Sequence, residues 1–76
     1  MQTKMYLHEA IGKALEQMPS KMGSYKEISK TIAEQGYYLR KDGYPPASGQ
    51  IAARVNNYQQ YFEKIPGGAR LINPIR

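Results

Sequence analysis

A chain of 76 residues with no cysteine and one histidine has only its own packing to hold it together. Disulfides, thiol nucleophiles and cysteine metal sites are out of reach, and His8 alone cannot build a histidine zinc cage. One small domain spanning residues 1–76 is the expectation at this length. Folding would bury about 60% of the unfolded surface, enough for a thin core and not for a core plus a deep catalytic cleft. The longest apolar runs are a few residues, against the roughly 20 that a membrane helix requires, so no membrane partner is expected. The opening MQTKMYLHEAIGK lacks the long apolar core and small-residue cleavage site of a secretion signal. The cytoplasm is the expected location.

Three helices and a hairpin are legible in order. Leu7, Ile11, Ala14, Leu15 and Met18 recur at helical spacing. With Thr3 as N-cap and Pro19 as stop, they predict a first helix over about 4–18. Glu9 and Lys13 stand four apart on its solvent side in the favourable order. Ser24-Tyr25-Lys26-Glu27 reads as a capping box opening a second helix, 25–35, with Ile28, Ile32 and Ala33 inward and Gly36 at C′. Met22 and Gly23 fit a very short strand before that cap. Residues 36–46 form a loop with an Asp42-Gly43 turn signal, and among Tyr37, Tyr38 and Leu39 at least one should pack inward. A third helix follows over about 47–58, with Ala47, Ile51, Val55 and Tyr58 inward. The hairpin comes last: strands near 61–65 and 69–73 around Pro66-Gly67-Gly68. The expected core is Leu7, Ile11, Leu15, Ile28, Ile32, Ile51, Val55, Tyr58, Phe62 and Leu71.

That order is the order of a winged helix: a mainly α fold, three helices plus a small β-hairpin wing, with the second and third helices as the helix-turn-helix. The stretch LRKDGYPPASGQIAARVNNYQQYF resembles the bacterial relatives of the HARE-type winged helix, small domains that accompany restriction and modification enzymes. The matching residues are Lys41-Asp42-Gly43, Gln50-Ile51, Arg54-Val55, Tyr58 and Phe62. Leu7 to Leu15 and Tyr25-Lys26-Glu27-Ile28 fit as well, so the likeness spans about residues 5–73. It implies double-stranded DNA binding, with sensing of base modification as a further expectation. The hairpin tip departs from the pattern in being short and carrying no basic cluster.

The charge agrees with an anionic partner. Eleven Lys and Arg against six Asp and Glu give a net charge of +5 and a pI near 9.6. Residues 44–76 hold Arg54, Lys64, Arg70 and Arg76 against Glu63 alone. On the third helix the outward positions are Gly49, Gln50, Ala53, Asn56 and Asn57, with Arg54 at the border. Gly49 and Ala53 keep that face low enough to approach a major groove. Gln50 and Asn57 are amides that both give and accept hydrogen bonds, as adenine readout requires. Arg54 suits a two-pronged contact to guanine or a phosphate clamp. Lys26 and Lys30 on the second helix, Arg40 and Lys41 in the loop, and Lys64 and Arg70 on the wing are the candidate phosphate contacts. Arg40 and Lys41 lead, since they directly precede the third helix.

An enzyme is not expected. The pairs Glu9/Glu16 and Glu27/Glu34 are interleaved with lysines, and Glu27 has a capping role. His8 has no acidic or cysteine partner and reads as a surface side chain. No phosphate-binding glycine loop is present, and no cofactor, metal or catalytic residue is assigned. Seven tyrosines support a second reading: a protein-interaction module docking a protein partner, or another copy of itself, through a tyrosine-rich surface.

Overall fold

In the computed structural model, which describes residues 6–38 and 43–73, the chain runs through α1 (Leu7–Glu16), a 3-10 turn (Pro19–Lys21), β1 (Met22–Ser24), α2 (Tyr25–Gln35), α3 (Ser48–Asn57), β2 (Phe62–Ile65) and β3 (Gly68–Leu71). α1 is shorter than its apolar period suggests. Tyr6 is extended (φ −67°, ψ 155°) and serves as N-cap, its N–H donating to Glu9 Oε1 at 3.1 Å. Glu9, expected on the solvent side with Lys13, thus serves the cap; Thr3 lies outside the described residues. At the other end Gln17 is the C-cap. Met18 is extended (ψ 152°) because the Pro19 ring disfavours helical backbone before it.

α2 keeps its predicted bounds because both ends are specified locally. Glu27 N–H donates to Ser24 Oγ at 3.1 Å and Ser24 N–H to Glu27 Oε1 at 3.0 Å, the reciprocal capping box. At the C-terminus Gly36 is left-handed (φ 70°). Its N–H and that of Tyr37 reach the Ala33 and Ile32 carbonyls at 3.2 and 3.1 Å, which is a Schellman closure. α3 is positioned from α2: Ser29 Oγ donates to the Pro46 carbonyl at 2.7 Å, and Pro46 is fully buried. Ala47, expected inward, is exposed, because as N-cap it precedes the helix and does not share its phase.

The sheet is antiparallel throughout, in the order β1-β3-β2. β2 and β3 make the expected hairpin, and β1 adds a third strand by pairing Met22, Gly23 and Ser24 with Arg70, Ala69 and Gly68. The turn is Pro66-Gly67, with Gly67 at φ 74°, as a proline followed by a positive-φ residue requires. Gly68 is not a turn residue, contrary to expectation. It sits in β3 against β1, where a Cβ would overlap the Gly23 carbonyl oxygen and lie 2.8 Å from Ser24 Cα.

The core lies where the three helices meet one sheet face. Leu7, Ile11, Leu15, Ile28, Ile32, Ile51, Val55, Phe62, Ala69 and Leu71 are all buried. Every expected core position is buried except Tyr58, which is half-buried because α3 has ended: its backbone (φ −122°, ψ 54°) has left the helical phase that Ile51 and Val55 follow. Tyr37 and Tyr38 pack against the core as anticipated, with Gln17 Nε2 donating to the Tyr37 hydroxyl; Leu39 lies outside the described residues. The radius of gyration is 11.1 Å, that of a compact chain of this length.

Candidate nucleic-acid interface

α3 divides cleanly into two faces. Ile51 and Val55 point into the core, while Ser48, Gly49, Gln50, Ala53, Arg54, Asn56 and Asn57 are exposed. The helix, SGQIAARVNN, contains no acidic residue. Arg54 lies in its last turn, where a cation is favoured by the helix dipole. Gly49 and Ala53 keep the outer surface low, and a Cβ at Gly49 would meet nothing within 4 Å.

The amides of this face are not equivalent. Gln50 Oε1 accepts from the Ala47 N–H at 3.0 Å, which satisfies one of the orphan donors at the helix start. Gln50 therefore has its Nε2 hydrogens to offer and its acceptor engaged. Asn56 Oδ1 accepts from Gln59 Nε2 at 3.4 Å. Asn57 and Arg54 make no side-chain hydrogen bond or ion pair among the described residues.

A groove of about 440 Å³ separates α3 from the hairpin, with Val55 and Phe62 at its base and Asn56, Gln59, Glu63, Lys64, Arg70 and Ile72 as its other walls. It places Lys64 opposite the C-terminal half of α3. Arg70 is a weaker candidate than its position on the wing suggested. It stands opposite Glu63 in the β2–β3 register and forms an ion pair with it. Lys26 and Lys30 are exposed on α2. Lys30 shares a shallow depression with Glu27 and Glu34 on the side of β1 and the 3-10 turn, a depression with no α3 residue in its walls. Arg40 and Lys41 lie outside the described residues. The structure thus joins Gln50, Ala53, Arg54 and Asn57 on one helix face, sets Lys64 in the same groove as Asn56, and places Lys30 in a depression walled by no α3 residue.

One aromatic cluster escaped the sequence reading. His8 is half-buried and stacks on Tyr58, with centroids 4.1 Å apart and planes 10° apart. Tyr61 lies beside this pair in nearly the same orientation, 6.3 Å from Tyr58 and 6.5 Å from His8. Tyr6 continues the series at 6.1 Å from His8. The Tyr58/Tyr61 spacing just past a helix end was the available signal; the His8 contribution comes from another element and left none.

Among the described residues no three acidic or histidine side chains converge on a metal position, and no helix is long and apolar enough to cross a membrane. Comparison with known protein families, with curated proteins and with solved structures finds no match.

Proposed function

We propose that this chain is a winged helix-turn-helix domain of the HARE type that binds double-stranded DNA in the cytoplasm, with α3 in the major groove and the β2–β3 hairpin against the flanking backbone. The element order and the sheet order β1-β3-β2 fit a winged helix, but fold by itself does not carry function. The observation that carries the reading is the outer face of α3: exposed, lined by small residues and amides, carrying Arg54 in its last turn, and free of acidic side chains. A duplex presents phosphates beside a groove that admits one helix, and this surface meets both without like-charge repulsion. Arg54 and Asn57 are the base-edge readers, Ala53 allows close approach, and Gln50 donates from Nε2. Lys64, Lys26, Arg40 and Lys41 are the phosphate contacts. In this reading the chain is a binding module and not an enzyme.

The test is duplex binding by wild type, Arg54→Ala and Lys64→Ala. Arg54→Ala should cost about 1–3 kcal/mol at a preferred site and relax the preference there. Lys64→Ala should weaken all sequences about equally and reduce the salt slope by about one. Unchanged affinity and preference in a folded Arg54→Ala variant would remove α3 as the reading element.

A further inference from the structure

The ring cluster begins where the exposed face of α3 ends. Tyr58 is the C-cap of α3, next to Asn57 and one turn beyond Arg54. It carries His8 on one side, and Tyr61 and Tyr6 extend the surface, all within 22° of parallel between neighbours. None of these rings is buried, and Tyr6 is 75% exposed. Tyr58 and Tyr61 also pack in part against the core, whereas Tyr6 takes no part in it.

The rings are also held in place. Tyr61 N–H donates to the Tyr58 carbonyl at 2.9 Å and Ile72 N–H to the Tyr61 carbonyl at 2.8 Å. Asn73 Nδ2 donates to the Gln60 carbonyl at 2.7 Å. The turn bearing two of the rings is therefore tied to the end of β3. Glu9, next to His8, accepts from the Tyr6 N–H and keeps its charge; Glu63, two residues past Tyr61, is paired with Arg70; and the adjoining helix contributes Arg54 and no acid.

Flat aromatic faces beside cationic surface are what unpaired bases recognise: every base has a π-face, and the phosphates it brings require positive charge. We infer that Tyr6, His8, Tyr58 and Tyr61 form a stacking platform for unpaired bases, so that the domain prefers duplex DNA that runs into a single-stranded tail. The inference rests on the duplex-binding reading and adds a partner feature to it. Tyr6 is the outermost ring, and its substitution leaves the core untouched.

The test compares a blunt duplex, the same duplex with a short single-stranded tail, and the same tail built of abasic sugar-phosphates, by fluorescence anisotropy. The abasic tail carries the phosphates without the rings. For wild type, the tail with bases should bind about tenfold tighter than the abasic tail, the scale of one stacked base. Tyr6→Ala should remove most of that gain, Tyr6→Phe should keep it, and blunt-duplex affinity should stay the same in all three proteins. Blunt duplex bound but both tails equal would overturn the platform and leave duplex binding standing. No duplex binding at all would instead overturn the proposed function. Equal tails together with ring-resonance shifts on adding a proline-rich peptide would overturn the platform in favour of protein docking.

Discussion

Gln50 serves the fold and has a second part in the proposed function. Its Oε1 holds the Ala47 N–H at the start of α3, and the residue is exposed on the same helix face as Arg54. Gln50→Glu separates the two roles. The carboxylate still accepts at the cap, and a negative charge at a helix N-terminus is worth about 0.3–1 kcal/mol in stability. The same charge on the surface proposed to face DNA loses a donor and repels phosphate, so duplex affinity should fall about tenfold or more while the urea midpoint holds or rises. Unchanged affinity would move the N-terminal half of α3 off the DNA. Gly68 makes a purely structural counterpart. A Cβ there would collide with the β1 backbone at Gly23 and Ser24, and backbone cannot swing aside as a side chain can. Gly68→Ala should lose about 3 kcal/mol, the upper part of the overpacking range. Gly49→Ala, which enters open space, should gain about 0.4–1 kcal/mol. Chemical denaturation of the two variants checks both signs.

At the scale of elements, what the sequence announced was what is decided locally. The bounds of α2 follow from Ser24, Glu27 and Gly36, which act within a few residues of themselves. Ser24→Ala should therefore cost about 1 kcal/mol, read as a shift in urea midpoint with no change in slope. A loss within the ±0.5 kcal/mol of ordinary surface changes would mean the box adds little. Where the reading slipped, the deciding partner was distant or the helical phase had stopped. β1 reaches its full length only through β3, more than forty residues on, and Gly68 is a strand residue for the same reason. Tyr58 and Ala47 follow the apolar period of α3 on paper, but each lies just outside the helix. The candidate site was legible in part: the outer face of α3 follows from the inward phase of Ile51 and Val55. The pairing of Arg70 with Glu63, and the seating of His8 on Tyr58, depend on tertiary contacts that no local pattern encodes.

For the molecule as a whole, the core and the charge work on separate surfaces. The apolar side chains close on one another with no buried polar or charged side chain among the described residues, which leaves the cations on the outside. A net charge of +5 on a chain this small favours anionic partners at long range, and screening weakens that attraction as salt rises. If α3 and its neighbouring lysines lie against a duplex, each phosphate contact displaces condensed counterions. The observed binding constant then falls with salt by a slope of about 0.9 per contact on logarithmic axes. The most direct measurement is an anisotropy titration of the wild-type chain against random-sequence duplex DNA over a series of salt concentrations. The account predicts binding at the lowest salt and a straight, steep decline with a slope of about 3 to 4, as the phosphate contacts Lys26, Arg40, Lys41 and Lys64 together would give. Absence of binding at the lowest salt, or an affinity that stays flat across the series, would contradict it.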